Sequence, residues 1–394
     1  MKRLLIGALL LMMLAGCAGR HSIPPHDFAY FPAPKTDTIR IAFDQDGSLY
    51  PTYPADGIYT AKPLSFRCKY NPFYTWFKGC SYRLHKLQVF TRANYGGYDF
   101  YDTNAAVRDS VVHRLNQSIA KTGRLVIKIH GFNNGFSDAK KNFELFDERM
   151  TEFDHTVLEV FWDGLEKAIP LTIWDNALLY SNIAGQIGLR AILNRITTPY
   201  ELVFITHSRG AAVALSTISD PINDKEGVCA PQVGGEYEER GCTGYFNDEW
   251  LKAGTYPRFE PFDTRYIQSL KLVMIAPALG NGHFWSGTDR YLKDFERIDF
   301  FLGANKRDFA TTKLIASSQF GDTRLGNNES LIKEVQEMFA SSMPNMHMQV
   351  LWFKNGFYHG IPSYFDDDNG TNPECLMWAG GLNAIKPVGC SLYR

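Results

Sequence analysis

The chain has 394 residues, of which 45% are hydrophobic and 21% charged, with a formal charge of −1 at pH 7. That composition excludes a disordered or fibrous chain, and the balanced charge leaves no basic footprint for nucleic acid, so no nucleic-acid partner is expected. The length suits one large α/β domain carrying insertions.

Lys2 and Arg3 precede the apolar run Leu4–Leu14, a charged segment and a hydrophobic segment too short to cross a membrane as a lone helix. The pattern is that of a secretory leader. Its end, Leu14, Ala15, Gly16 and Cys17, resembles the bacterial lipobox. The resemblance implies that residues 1–16 are a lipoprotein signal peptide and that Cys17 becomes an acylated N-terminus. Ala18 and Gly19 carry no acidic residue, which implies the outer membrane, with either face open. Residues 17–35, with Pro24, Pro25, Pro32 and Pro34, read as a tether, and 36–394 as the folded domain.

Six cysteines remain beyond Cys17, in three local couples: Cys68 with Cys80, Cys229 with Cys242, and Cys375 with Cys390. In an exported chain this spacing predicts three local disulfides. The spacings of zinc sites are missing, so no metal site is predicted.

Taken in order, Thr38–Phe43 and Tyr82–Phe90 predict strands that form an antiparallel lead-in to a sheet. Between them, the aromatic-rich stretch Leu64–Cys80 predicts a disulfide-pinned surface loop. Asn104–Lys121 predicts a helix with Val107, Val111, Leu115 and Ile119 on one face and Gly123 as its stop.

The next strand begins at Arg124 and opens into His130, Gly131, Phe132, Asn133, Asn134 and Gly135. A glycine there lets backbone approach a substrate, so that the Phe132 N–H can face a developing oxyanion. Ser137 and Asp138 predict the cap of a helix reaching about Asp154. His155–Phe161 predicts a strand that leads to Asp163, whose place ahead of the later serine motif points to a structural or pocket-rim role. Trp174–Ile196 predicts one long helix, in which Tyr180, Ala184 and Gly188 allow close packing over the site.

Glu201–Ile205 is an apolar run that ends in Thr206, His207, Ser208, Arg209 and Gly210 and then becomes a helix of small residues. This is a nucleophile-elbow pattern, which presents a serine Oγ on a tight strand-to-helix turn. Thr206 stands where such elbows place their first glycine. Residues 220–266 then predict an insertion, a candidate lid, with Cys229 and Cys242 inside it. Gln268–Ile275 and Arg297–Gly303 predict strands, Ser330–Ser341 a helix, and His347–Phe353 a last strand leading to His359. Alternating strands and helices imply a mostly parallel sheet with helices on both faces, whose chemistry gathers at the carboxyl ends of the strands.

Serine is a poor nucleophile on its own. A histidine must take its proton, and a carboxylate must fix the tautomer of that histidine. Ser208, Asp308 and His359 follow three successive strands in that chain order. The chain therefore resembles an α/β-hydrolase, in a bacterial lipase- and esterase-like branch with I-H-G-F-N-N, H-S-x-G and N-x-x-D motifs, over about Thr38–Tyr364. The resemblance implies Ser208 as nucleophile, Asp308 as acid and His359 as base, with the Phe132 and Arg209 backbone N–H groups as oxyanion hole. His130, Gly131, His207 and Gly210 would support those motifs. Asp289, Asp294 and Asp299 are rival acids and His283 a rival base.

The activity so implied is cleavage of a small-molecule or lipid carboxylic ester by a membrane-anchored serine hydrolase, which calls for no cofactor. Two alternatives stay open: an acyltransferase on the same triad, and a surface lipoprotein that uses the fold only to bind.

Overall fold

The computed structural model of the chain describes residues 38–43, 47, 49, 100–150, 154–164, 174–219, 261–280, 284, 295–308, 310, 324–353, 358–365 and 373–393. The elements run β1 (Thr38–Phe43), α1 (Phe100–Thr122), β2 (Arg124–Ile129), α2 (Phe136–Arg149), β3 (Thr156–Trp162) and α3 (Trp174–Ile183). A π-helical segment (Ala184–Leu189) then leads into α4 (Arg190–Leu193), β4 (Tyr200–His207), α5 (Gly210–Ile218) and β5 (Ile267–Ile275). The chain closes with β6 (Ile298–Ala304), α6 (Glu329–Ser342), β7 (Met346–Trp352), α7 (Ile361–Tyr364) and α8 (Glu374–Ala379).

Seven strands form one sheet in the order β1-β3-β2-β4-β5-β6-β7, and every pairing is parallel. A parallel strand covered on both faces must be apolar at consecutive positions, and β2, β3 and β4 are buried almost throughout. Alternate side chains feed two cores. Ile127, Leu202 and Phe204 pack with α1, α3, the π-helical segment and α5, while Val126, Val203 and Ile205 pack with α2, α7 and α8.

Several expectations change. Thr38–Phe43 is not an antiparallel lead-in: it lies parallel to β3, with Ile39 opposite Leu158 and Ile41 opposite Val160. Burial on both of its faces is the physical reason, because it sits inside the layered body rather than at a solvated hairpin. Helix α2 starts at Phe136 behind Gly135, with no side-chain cap, so Ser137 and Asp138 fall in its first turn. It ends at Arg149, because Met150 is extended at ψ 132. The long helix predicted over 174–196 is interrupted by the π-helical segment. Gly185 brings that segment against α5, where a Cβ would stand 3.0 Å from the Thr217 nitrogen, whereas Gly188 packs on Phe43 of β1 and not over the site.

Cys375 and Cys390 form the expected disulfide, with Cα atoms 5.4 Å apart. The other two cysteine couples, the leader and tether, the Tyr82–Phe90 strand, the Leu64–Cys80 loop and most of the 220–266 insertion lie outside the described residues.

Among the described residues, a charged knot lies in the sheet interior. Lys128 of β2 is fully buried and donates to Asp147 of α2 at 2.7 Å and to Glu159 of β3 at 3.0 Å, while the other Glu159 oxygen accepts from Arg40 of β1 at 2.5 Å. Removing one partner of a buried ion pair strands the charge of the other. Lys128→Met is therefore expected to cost about 3 kcal/mol in urea unfolding. A loss below about 1 kcal/mol would show that Arg40 alone neutralises Glu159.

Candidate active site

The residues singled out after β2, β4, β6 and β7 all follow carboxyl ends of parallel strands, so they share one edge of the sheet. Ser208 directly follows β4 and adopts φ +52, left-handed backbone that a residue with a Cβ enters at a cost of about 1–3 kcal/mol. Three backbone bonds hold it there. Its N–H donates to Ile275 O at 2.9 Å, and its carbonyl accepts from Ala211 and Ala278, each at 3.2 Å. Asn133 after β2 and Ala276 after β5 are the other described non-glycine residues with positive φ.

Thr206 does not crowd the turn. It remains within β4, paired with Ile129 and Met274, and its hydroxyl donates to Val273 O at 3.4 Å. A β-branched residue fits extended strand well, and the reversal begins only at Ser208. The glycine the turn does require is Gly210, where a Cβ would stand 2.5 Å from His130 O and 2.7 Å from Ile129 O. That close approach seats α5 on the end of β2. Gly131 is equally constrained, since a Cβ there would meet His207 Nδ1 at 2.8 Å and Ser208 Cβ at 3.0 Å. The loop that carries Phe132 thus lies against Ser208, which is only 3% exposed rather than displayed on the surface.

His130 fastens this loop to β3. Its Nε2 accepts the Trp162 backbone N–H at 3.1 Å, its carbonyl accepts the Trp162 indole N–H at 2.8 Å, and the two rings stack. The remaining nitrogen, Nδ1, faces Gly131 O at 2.9 Å, which assigns the proton to Nδ1. Asn133 N–H donates to Gly164 O at 3.0 Å and closes the same corner. Asp163 is buried beside His130, on which its charge acts, and it takes no part in the carboxylate–histidine contact described next.

Asp308, after β6, and His359, after β7, meet directly, with Nδ1 of the histidine donating to Oδ2 at 2.5 Å. Asp308 is fully buried, and its Oδ1 accepts the Ala310 N–H at 2.9 Å. The Tyr364 hydroxyl also donates to Oδ2, at 2.5 Å, a contact the sequence did not reveal. The histidine side chain stays 19% accessible. His207, next to Ser208, donates from Nε2 to the His359 carbonyl at 2.8 Å, and the two rings lie 4.8 Å apart. The serine turn and the histidine segment are therefore joined through His207. Its Nδ1 is buried without a hydrogen-bond partner among the described residues, facing Gly131.

The Arg209 side chain turns away from this edge into the protein, donating to Ser181 Oγ of α3 at 2.8 Å, so what Arg209 offers at the edge is its backbone. Among the rivals, Asp299 lies inside β6 and pairs with Arg297. Asp289, Asp294 and His283 lie outside the described residues. A cavity of about 470 Å³, lined in part by Arg297, Phe339, Met346 and His347, sits at the opposite, amino-terminal edge and contains none of the candidate residues. No protein-family model matches the chain, and no curated protein matches it.

Burial pushes His130 down to about 4 and His207 down to about 3, from 6.5, the latter aided by the neighbouring His359. Both rings are therefore neutral in the folded protein at neutral pH. Unfolding restores their ordinary affinity, so below about pH 6.5 the unfolded chain binds protons that the folded chain does not. The stability they confer is complete above that pH and is lost as pH falls toward 4, at about 1.4 kcal/mol per pH unit for each proton. His130→Gln should flatten the dependence of unfolding free energy on pH between 6 and 4.5 by about one proton's worth. An unchanged slope in urea titrations would mean that His130 is protonated in the folded protein.

Proposed function

We propose that the protein is a serine hydrolase of the α/β-hydrolase class that cleaves carboxylic esters, with Ser208 as nucleophile, His359 as base and Asp308 as acid. The observation that carries this reading is the 2.5 Å contact between His359 Nδ1 and a fully buried Asp308 carboxylate, joined through His207 to a serine held at φ +52. A structural core does not need a strained serine beside a buried carboxylate–histidine pair. The parallel strand order, with the serine after β4 and the acid and histidine after β6 and β7, also supports the class.

In this reading His359 Nε2 takes the Ser208 proton as Oγ attacks the ester carbonyl. Asp308 holds the proton on Nδ1 and stabilises the imidazolium that forms. The carbonyl oxygen becomes an oxyanion facing the backbone N–H groups of Phe132 and Arg209, the latter at the start of α5, where the helix dipole favours negative charge. Collapse expels the alcohol, which leaves with the proton from His359. Water then repeats the sequence on the acyl-enzyme, releasing the acid and restoring the serine. Burial of Ser208 strengthens each of these electrostatic interactions.

The lipobox-like leader adds the proposal that Cys17 anchors the protein to the outer membrane through attached acyl chains. Cys17→Ser should move the protein from the membrane to the soluble fraction, and unchanged fractionation would rule the anchor out.

The hydrolase reading is tested with a fluorophosphonate probe and short p-nitrophenyl esters. Wild type should be labelled at Ser208, and Ser208→Ala should lose labelling and turnover while unfolding at nearly the same urea concentration. Ser208→Ala, His359→Ala and the double variant should each lose activity on the order of 10⁴-fold or more, because members of one reacting unit are not additive. Asp308→Asn should cost less than Ser208→Ala. Full activity in Ser208→Ala would end the proposal.

A further inference from the structure

Asp308 receives more than the single donor that a triad needs. Oδ2 accepts from both His359 Nδ1 and the Tyr364 hydroxyl, each at 2.5 Å, whereas Oδ1 accepts the Ala310 N–H. The two side chains on Oδ2 come from one short segment of chain. Gly360 N-caps α7, whose turn is closed by Ser363 N–H to Gly360 O at 3.0 Å and by Ser363 Oγ to Gly360 O at 2.7 Å. This turn carries Tyr364 back beneath His359, so that both reach the same oxygen. The Tyr364 ring is fully buried, in a T-shaped contact with Phe353 whose ring centroids lie 5.0 Å apart, and with Ile361 in the same core. Asn305, at the start of the Asp308 loop, hydrogen-bonds the phenol in turn.

We propose that Tyr364 is a positioning residue of this site, whose hydroxyl holds the Asp308 carboxylate in one orientation and takes up part of its negative charge, thereby setting how strongly Asp308 stabilises a protonated His359. The proposal rests on the hydrolase reading for its meaning in catalysis, but the coupling itself can be measured without turnover. Burial and the adjacent carboxylate raise the phenol well above its ordinary range, so it remains a donor wherever the enzyme would work. Hydrogen bonds to an ionised group are about twice as strong as neutral ones. Two donors on one oxygen therefore compete for the same charge. Removing Tyr364 returns that charge to the carboxylate, and the imidazolium beside it is then held more tightly.

The other titratable group that faces the pair among the described residues is His207 on β4, which burial keeps neutral. The neutral partners are Asn305 and the Ala310 N–H. A tyrosine hydroxyl that merely found an acceptor in the core would leave the pH behaviour of His359 unchanged when removed.

Tyr364→Phe keeps the ring and deletes the donor. The loss of a fixed carboxylate orientation should lower kcat for a p-nitrophenyl ester by roughly tenfold with little change in KM, and the returned charge should move the acidic limb of the pH–rate profile upward by about one unit. Should that variant fail to fold, 3-fluorotyrosine placed at 364 preserves the packing and is a stronger donor, and it should move the limb downward. Opposite shifts from the two replacements are the expected signature. A limb that stays in place in every replacement that folds overturns the assignment of Tyr364. The same replacements are followed by NMR titration of the His359 ring in ¹⁵N-histidine protein, where the midpoint should move in the same directions. If Ser208 does not label and no ester is cleaved, the hydrolase reading fails while the NMR midpoint still decides the role of Tyr364. If labelling and turnover are present and neither limb nor midpoint moves, Tyr364 alone is misassigned.

Discussion

Left-handed backbone at a residue with a side chain persists only where its surroundings over-determine it. At Ser208 the surroundings are the carboxyl ends of β2 and β5. Ile275 and Ala278 pin the serine's amide and carbonyl, and Gly210 lets α5 sit against His130 with no room for a methyl group. These supports come from the ends of two different strands, so the turn exists only when the central strands are assembled. The sheet order, with β4 between β2 and β5, is what supplies both flanks at once.

From that point the polar architecture of the edge follows by contact. Gly131 leaves space for His207, whose Nε2 reaches the His359 carbonyl, and His359 reaches Asp308. His130 and His207 are neutral because burial makes charge expensive, and each donates its one N–H to a backbone carbonyl. His130 ties the β2 loop to Trp162, and His207 ties the serine turn to the last loop of the site. Buried polar groups so arranged rigidify a site when satisfied and weaken it when one partner goes. Arg190 makes a comparable arrangement at the far end of α5, where its guanidinium donates to the terminal carbonyls of Ser216 and Thr217 at 2.7 Å and to that of Ser219. The helix behind the serine is thus held at both ends.

Much of this was legible along the chain. The strands after 124, 201, 268, 297 and 347 are apolar at consecutive positions, and that signal is local. Asn328 caps α6 through bonds to Ser330 and Leu331 within a residue or two of the expected start. Other features were not legible. Thr38–Phe43 looks the same whether its partner runs parallel or antiparallel, and only packing against β3 decides. The π-helical segment has no sequence signature of its own, because it arises where Gly185 meets α5. Thr206 stands in the place of a first glycine, and only its pairing with Ile129 and Met274 shows that it is still strand and that the reversal begins at Ser208.

The sequence by itself determined the two-sided burial of the sheet, the small residues where backbone meets backbone, and the chain order of Ser208, Asp308 and His359. These properties depend on residue type and on neighbours a few positions away. Tertiary structure alone decided that Asp308 meets His359 across 51 positions and Tyr364 across 56, that His207 reaches past Ser208 to hold His359, and that Ser208 is enclosed. A hydrogen bond is set by a few tenths of an ångström between atoms whose separation in the chain carries no information about their separation in space. Only the completed packing of strand ends and loops brings such atoms within that range.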